Sequence, residues 1–329
     1  MNLIGIDVDS KWLVAKISRD GQAQPVARFS NCAAGHRRLI AWATRRGQCA
    51  RVCLEATGVY GEPLAFALHR APNIEPMVVN PRAIQQFACA TLSRGKTDAM
   101  DAEVIHEYLV RMPFKPWQPP SEHVLEIQAL SRRIVQLTGE RTRERNRLHA
   151  AKRRGAIGRA IAHDIAMNLR HIDRRIERLR SAALELIRSD PELEHCYRRL
   201  ISTTGIADTS AIKLIGELMV LPDDMLGAQW VAHAGLDPRP RESGATAKPR
   251  RISKAGNGYI REALYMPALV AIRHDPNIKA FYEKLVAAGK KPLQAIAAIM
   301  RKLLLAIWGM LKNDEDWIGE KFYRIPKTT

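Results

Sequence analysis

Four acidic residues in the first third of the chain are spaced so that they could form one metal site. Asp7 and Glu55 each end a run of apolar residues. Asp98 and Asp101 lie three residues apart, so a helix would place both carboxylates on one face. Carboxylate oxygens are preferred ligands of Mg²⁺, and Mg²⁺ beside a basic surface is typical of phosphodiester chemistry. We therefore predict that these four residues bind Mg²⁺.

Other interpretations of these residues and their neighbours are open. Asp98 could cap or begin a helix, because acids are common in a first helical turn. A carboxylate in an apolar strand is costly without a partner, however, so Asp7 favours the metal site. Asp9 shares a strand face with Asp7 and would be the ligand if the strand register differed. Tyr60, near Glu55, is expected to pack, with contact to a substrate as the alternative.

The chain carries a large excess of positive charge. Its 329 residues include 52 Lys and Arg against 34 Asp and Glu, a formal net charge of +18. Such a field attracts polyanions, and nucleic acid is the partner that it favours. No membrane span is expected, because no apolar run approaches the roughly 20 residues that a span needs, and no signal peptide is recognised. The five cysteines are typical of reduced thiols in a cytoplasmic protein.

The elements that must position the acids alternate in type. Strand patterns cover residues 3–8, 12–17, 25–29, 51–54 and 75–79, and helical patterns cover 34–46, 60–70, 81–91 and 98–111. Three strands followed by alternating helices and strands is the order of the ribonuclease-H-like fold. In that fold, three antiparallel strands extend a partly parallel sheet. We therefore predict an α/β domain of this kind over residues 1–112.

A proline-rich linker leads to a basic helical middle region, residues 113–199. Apolar residues recur at helical spacing over 121–188 and predict long paired, coiled-coil helices. Residues 131–180 hold fifteen Lys and Arg against five Asp and Glu. A solvated charged face is the ordinary explanation, but the one-sided sign favours contact with nucleic acid or a partner helix. The candidate nucleic-acid-binding residues here are Arg141, Arg143, Arg145, Arg147, Lys152, Arg153 and Arg154.

The last region, residues 200–329, is predicted to be mainly helical. Residues 200–218 resemble a helix-hairpin-helix element, in which backbone N–H groups around Gly205 could hold a phosphate. A plain turn between two packed helices is the alternative. A polar, basic loop is expected at 237–258, followed by helices at about 259–273, 277–288 and 292–312. The loop supplies the remaining candidate contacts to nucleic acid: Arg239, Arg241, Lys248, Arg250, Arg251 and Lys254.

Motifs in nearly the whole chain carry a resemblance to one family. They are Ile4-Gly5-Ile6-Asp7, Glu55-Ala56-Thr57-Gly58-Val59-Tyr60, Lys96-Thr97-Asp98-Ala99-Met100-Asp101-Ala102, Gly205-Ile206-Ala207, Ala234-Gly235-Leu236-Asp237-Pro238-Arg239, Glu242-Ser243-Gly244 and Ser253-Lys254-Ala255-Gly256. In type and order they resemble the DEDD-type insertion-sequence transposases, bridge-RNA-guided recombinases related to the pilin-gene invertases. One departure is visible: Ala207 stands where the family usually has a second glycine.

The resemblance implies a mechanism with two halves. A RuvC-like domain would hold Mg²⁺ through Asp7, Glu55, Asp98 and Asp101. Ser243 in a C-terminal transposase domain would attack a phosphodiester and form a phosphoserine link that a second DNA end resolves. A noncoding bridge RNA would pair with donor and target DNA. The enzyme would act as a homo-oligomer, a dimer or a tetramer of two dimers.

Two other functions fit the same residues. A RuvC-like, metal-dependent junction nuclease would use the acids to activate water and leave Ser243 idle. A non-enzymatic nucleic-acid-binding protein would use the hairpin and the basic helices, with the acids structural. Without the resemblance, a turn residue is the favoured interpretation of Ser243, because a serine needs a base or a metal to become a useful nucleophile.

Overall fold

The computed structural model consists of two compact units. It describes residues 1–56, 58–91, 97–239, 242–243, 246–247 and 251–326. Unit 1 is Met1–Pro119 and unit 2 is Pro120–Thr329. The sequence suggested three segments, 1–112, 113–199 and 200–329. The helical middle and the C-terminal region fall in one unit because their apolar side chains share a single core.

Unit 1 is built on a mixed sheet. Its strands are β1 (Asn2–Val8), β2 (Trp12–Arg19), β3 (Gln22–Ala23), β4 (Ala27–Ser30), β5 (Ala50–Glu55) and β6 (Ile74–Val79). The strand order is β3-β2-β1-β5-β6, with β4 also paired to β2. Strands β1, β2 and β4 are antiparallel neighbours, and β5 and β6 continue the sheet in parallel with β1. The predicted α/β domain is confirmed, and its ribonuclease-H-like classification stays a prediction.

Helices cover both faces of this sheet. They are α1 (Ala33–Ala43), α2 (Glu62–His69), α3 (Pro81–Ala90) and α4 (Asp98–Arg111). Side chains alternate along a strand, so β1 contributes to two cores. Ile4 and Ile6 pack in the core that holds α1 and α2, whereas Leu3 packs in the core that holds α3 and α4. Asp7 has the same parity as Leu3 and therefore faces the α4 side.

Helix α4 crosses β1 at Gly5. A side-chain carbon at Gly5 would lie 2.2 Å from the backbone nitrogen of His106 and 2.7 Å from the carbonyl oxygen of Ala102. Only glycine leaves room for this approach. The helix begins after Thr97, whose hydroxyl accepts a hydrogen bond from the Met100 N–H at 3.3 Å. Thr97 is therefore the cap, and Asp98 and Asp101 lie in the first helical turn.

Unit 2 is predominantly helical. Its helices are α5 (Glu122–Arg153), α6 (Arg159–Ser189), α7 (Pro191–Ser202), α8 (Asp208–Leu218), α9 (Gly227–His233), α10 (Gly258–His274), α11 (Pro276–Ala287), α12 (Pro292–Asn313) and α13 (Gly319–Phe322). A 3-10 turn at Gly155–Gly158 joins α5 to α6, which pack along each other. The long paired helices are thus confirmed, and their coiled-coil character stays a prediction.

The expected loop at 237–258 contains short strands. They are β7 (Pro238–Arg239), β8 (Glu242–Ser243), β9 (Thr246–Ala247) and β10 (Arg251–Ile252). Strand β10 pairs with β7 and β9 pairs with β8, both antiparallel. The sequence missed them because two-residue strands are too short to produce an alternating pattern.

Helix α12 is more apolar than the sequence indicated. By length and composition it is apolar enough to cross a membrane, and within the described ranges it is the one helix that qualifies. The sequence showed no such run because Arg301 and Lys302 interrupt it. Leu303, Leu304 and Ile307 of this helix are buried in the core of unit 2. Burial of this face explains the apolar composition without a membrane.

Candidate metal and nucleic-acid site

The sheet of unit 1 brings Asp7 and Glu55 together. Ile6 pairs with Leu54 in the parallel register of β1 and β5, so the two acids occupy the next positions along neighbouring strands. Cys53, two residues before Glu55, packs in the core with Ile105 of α4. Both carboxylates therefore lie on the sheet face that α4 covers.

All four predicted acids interact in the structure. The pKa of Asp7 is raised from 3.8 to about 6, first by burial and then, in decreasing order, by the charges of Asp101, Asp98 and Glu55. The N–H of Val8 acts in the opposite direction. Because the other three carboxylates act on Asp7, the sheet edge and the first turn of α4 form one acidic cluster.

The acidic cluster fits a divalent cation by its chemistry. Burial and like charges both disfavour ionised Asp7, and a bound cation would offset both effects. Carboxylate oxygens are also the ligands that Mg²⁺ prefers. As the side chains stand, no three His, Cys, Asp or Glu residues in the described ranges are grouped closely enough to hold an ion. Ion binding would therefore draw the carboxylates of the cluster closer together.

Asp9 is a turn residue and not a member of the acidic cluster. It follows β1, is exposed, and its pKa is lowered by hydrogen bonds from the backbone N–H groups of Ser10 and Lys11. Its carboxylate is also absent from the charges that act on Asp7. The alternative in which Asp9 replaces Asp7 as a ligand is therefore not supported.

An unpredicted residue ties together three loops beside the acidic cluster. The Asn31 side-chain amide donates hydrogen bonds to the carbonyl oxygens of Asp9 at 2.9 Å and Tyr60 at 3.0 Å. The ring Nε2 of His36 donates to the Asn31 Oδ1 at 2.8 Å. His36 is buried, and burial lowers its pKa, which favours the neutral ring. A lone Asn after a strand carries no signal in the sequence for this role.

Tyr60 does not pack as expected. Its side chain is 50% exposed and that of Val59 is 74% exposed. Both lie in a 3-10 turn, Gly58–Tyr60, which follows β5 and Glu55. The turn places two apolar side chains in solvent next to the acidic cluster.

Two helices joined by a short connection are present at 200–218, where the helix-hairpin-helix element was predicted, but the connection packs against the protein at Gly205. Gly205 has φ +95, and a side-chain carbon there would lie 2.6 Å from the carbonyl oxygen of Pro267 in α10. The start of α8 carries Asp208, which accepts hydrogen bonds from Arg180 at 3.0 Å and from Tyr197 at 2.9 Å. A phosphate there would meet this carboxylate. The structure favours the packing alternative for Gly205.

The basic candidates on α5 are mostly exposed. Arg141 is half-buried and pairs with Asp173 of α6 at 3.3 Å, and Arg147 pairs with Glu144 one turn away. No ion pair is present within the described ranges for the others. These are Arg143, Arg145, Lys152, Arg153 and Arg154. We define them as the basic tip, because they lie toward the α5–α6 connection.

Ser243 itself is described in its backbone only. Ser243 pairs with Thr246 in the β8–β9 hairpin. The side chains of Arg239, Ser243 and Arg251 are outside the described part of the structure, as are residues 241, 248 and 250, the predicted Arg241, Lys248 and Arg250. The last candidate, Lys254, is exposed, and its N–H donates to the Gly235 carbonyl at 3.0 Å.

A buried carboxylate anchors the end of this segment. Glu217 of α8 is 1% exposed and accepts hydrogen bonds from Arg132 Nε at 2.7 Å and Nη2 at 3.0 Å. It also accepts from Asn257 Nδ2 at 2.6 Å. Asn257 caps α10 by accepting from the Tyr259 N–H at 2.9 Å. This clamp connects α5 to the start of α10, and the sequence did not indicate it.

Two family models match the chain. A DEDD-type IS110 transposase model matches residues 4–152, and a transposase model of the IS116/IS110/IS902 family matches residues 197–283. A pilin gene-inverting protein of Moraxella bovis is 30% identical over 275 residues, which is 80% of each chain. The chain belongs to the IS110/IS116/IS902 transposase family. The transposase family suggested by the motifs is thereby confirmed, whereas guidance by a bridge RNA and the serine chemistry stay predictions.

More distant relatives of this transposase come from other bacteria. A 42 kDa protein of insertion element IS900 in Mycobacterium paratuberculosis is 24% identical, with coverage of 77% of this chain and 80% of its own length. A putative transposase of Sinorhizobium fredii is 26% identical over 91% and 88% of the two chains. Membership in the family makes DNA the substrate and DNA recombination the general activity. The first model covers the acidic cluster, and the second covers Ser243.

Proposed function

We propose that this transposase cuts and rejoins DNA through a phosphoserine at Ser243, assisted by Mg²⁺ at the acidic cluster. The observation that supports this proposal most directly is the convergence of Asp7, Glu55, Asp98 and Asp101 in unit 1. Structural acids are normally neutralised by a nearby cation. The strongest influences on Asp7 are instead burial and three other carboxylates. Such an arrangement is typical of a functional site.

The acids would hold the metal from elements that the fold places side by side. Asp7 and Glu55 lie on adjacent strands, and Asp98 and Asp101 lie in a helical turn that Gly5 allows close to the sheet. When bound, Mg²⁺ would neutralise charge on the scissile phosphate. The protein would contribute the carboxylates and a site shielded on one side by the core.

Ser243 would form the covalent link. Its Oγ would form one bond to the phosphorus while the bond to one deoxyribose oxygen breaks. The serine would lose its proton to solvent or a base, and the departing oxygen would take up a proton. One phosphoester replaces another, so the energy of the bond is kept for rejoining. The resemblance of the motifs and the family model over residues 197–283 support this role.

The basic residues would hold the nucleic acids. We propose that the basic tip and Arg141 and Arg147 contact donor and target DNA or a bridge RNA that selects them, since phosphate contacts from Arg and Lys supply most non-specific affinity. We further propose a homo-oligomer, a dimer or a tetramer of two dimers, that acts in a prokaryotic cytoplasm. The net charge of +18 supports the nucleic-acid contacts.

A suicide substrate tests the mechanism. DNA that carries the ends of the element, with a nick placed so that the cleaved fragment diffuses away, would trap a covalent intermediate. We expect a protein–DNA adduct that survives denaturation, requires Mg²⁺ and is lost in Ser243→Ala. Ser189→Ala, at an exposed serine whose hydroxyl bonds the Leu186 carbonyl, is the matched control.

The same experiment separates the other two functions. A junction nuclease would cleave without an adduct, and the Ser243→Ala protein would cleave at the rate of the unaltered protein. A binding protein would retain the DNA without cleaving it. Either result would reject the phosphoserine mechanism.

A further inference from the structure

The exposed turn beside the acidic cluster is the strongest feature that the proposed mechanism leaves unused. Val59 and Tyr60 are 74% and 50% exposed. Large apolar side chains are more often buried, although single exposed ones are common. Here two exposed side chains are adjacent, and their turn begins three residues after Glu55, the last residue of β5. Their location close to Glu55 in the chain is therefore stronger support for a role in binding than their exposure alone.

The turn is held in place by polar contacts. Asn31 donates to the Tyr60 carbonyl at 3.0 Å and to the Asp9 carbonyl at 2.9 Å, and buried His36 fixes the Asn31 amide at 2.8 Å. The Asp9 carbonyl lies two residues beyond Asp7. These bonds set the turn relative to the strand that bears the central acid of the cluster. Because the backbone of the turn is already held, binding a ligand there requires ordering of the side chain but not of the loop.

We propose that Val59 and Tyr60 form a stacking site for an unpaired nucleobase of the DNA strand at the acidic cluster. A tyrosine ring stacks on any base, so such a site accepts many sequences and holds the strand by its bases while the acids face its phosphates. Strand exchange leaves bases at the cut unpaired, which supplies the ligand. The inference rests on the proposed function, because it requires DNA at the acidic cluster.

Base fluorescence would test the stacking directly. The protein is Ser243→Ala, which binds without forming the adduct, and the DNA carries element ends with a short unpaired stretch at the cleavage position. 2-Aminopurine replaces the bases of that stretch one at a time. We expect its fluorescence to be quenched at one or two positions on binding. Tyr60→Ala should remove the quenching and weaken binding about tenfold.

Two further variants sharpen the test. Tyr60→Phe keeps the aromatic face and should retain quenching and affinity. Asn31→Ala leaves Tyr60 intact but releases its turn, so quenching should fall in part. Val59→Ser tests the second residue of the site, and Val110→Ser is its matched control. Val110 is also exposed in unit 1, but it lies near the C-terminal end of α4, whereas Asp98 and Asp101 lie in the first turn of that helix. Only the change at Val59 should weaken binding. Circular dichroism confirms that each variant folds.

Several outcomes would overturn the proposal. They are unchanged quenching in Tyr60→Ala, loss of quenching in Tyr60→Phe, and quenching of 2-aminopurine in a guide RNA but not in the DNA. Failure of the stacking site is distinguishable from failure of the mechanism. The Ser243-dependent adduct would persist in the first case and be absent in the second.

Discussion

Two buried or partly buried carboxylates in this transposase, one in each unit, differ in how their charge is balanced. In unit 2, Glu217 is almost fully buried and receives hydrogen bonds from both Arg132 and Asn257. In unit 1, Asp7 is partly buried, and the nearby side-chain charges that shift its pKa are other carboxylates. Glu217 has a complete set of partners within the chain. Among the described residues, the side-chain charges that act on Asp7 are all negative, and such a group of carboxylates suits an added cation.

The contrast extends to the cations. Arg132, Arg141 and Arg180 each pair with an acid inside unit 2. The basic tip has no such pairs within the described ranges and is exposed. Charges that are balanced inside the protein maintain its fold, whereas charges of one sign left at a surface are available to a ligand. The acidic cluster and the basic tip suit Mg²⁺ and nucleic-acid phosphates respectively.

The largest expected effect comes from breaking the acidic cluster. Asp101→Asn should lower strand exchange by at least ~10³-fold, because metal stabilisation of the transition state contributes several kcal/mol. Recombination between two plasmid-borne element ends measures it. Glu107→Gln on the same helix, where Glu107 pairs with exposed Arg111, should leave the rate unchanged. Equal activity in both variants would remove the acids from the mechanism.

Breaking the clamp in unit 2 should reduce stability. Arg132→Ala leaves Glu217 charged and buried with Asn257 as its remaining described partner, and should lower the free energy of unfolding by about 3 kcal/mol. Urea denaturation followed by circular dichroism measures this change. Arg133→Ala is the control, because Arg133 bonds Gln136 on the same helix. A loss no larger than that of the control would show that Glu217 is not held by Arg132.

Neutralising part of the basic tip should weaken DNA binding without affecting the fold. A triple alanine variant at Lys152, Arg153 and Arg154 should bind about tenfold less tightly near 0.15 M salt, and the slope of log affinity against log salt should fall by up to about three. Alanine at Arg188, Arg198 and Arg301 removes the same charge from scattered positions and serves as control. Equal losses in both variants would indicate a general charge effect.

The smallest expected effect is a change in stability when the repulsion between Asp7 and the neighbouring carboxylates is removed. Its pKa is raised from 3.8 to about 6 in the folded protein, so ionised Asp7 costs stability as pH rises through that interval, and the full cost is present above pH 6. Asp7→Asn should therefore stabilise metal-free protein above pH 6 by about 1 kcal/mol after allowance for solvent screening, and should have no effect below pH 4. Thermal unfolding in EDTA measures it.

Added Mg²⁺ should reverse that order. Millimolar Mg²⁺ should raise the Tm of the unaltered protein and leave Asp7→Asn unchanged, because the bound cation needs the carboxylate. A Tm of Asp7→Asn below that of the unaltered protein in EDTA at pH 8 would contradict the repulsion.

Local sequence patterns were enough to predict many of the helices and strands. The helical spacing over 98–111 coincides with α4, Asp98–Arg111, and the strand patterns lie within or beside the strands of unit 1. Apolar periodicity reports which face of an element is buried, and that is a property of neighbouring residues in the chain. The family was also identified from short motifs. Asp7 was selected because a charge in an apolar strand requires a partner.

Contacts between residues far apart in the sequence could not be predicted from local patterns. The Arg132–Glu217–Asn257 clamp joins residues 85 and 40 positions apart, and Asn31 reaches Tyr60 across 29. Gly205 looked like a phosphate contact, yet the helix that comes nearest to it begins more than fifty residues later. No local spacing encodes which distant side chain will fill such a position.

The order of residues was therefore sufficient to find the longer elements and the family, and to single out four acids that the fold brings near one another. It was insufficient to tell which acids would be neutralised within the chain, because that depends on which cations the fold brings near them. Glu217 and Asp7 both stand in apolar surroundings in the sequence. Packing of α5 against α8 gave Glu217 its arginine, and packing of α4 against β1 gave Asp7 two more acids.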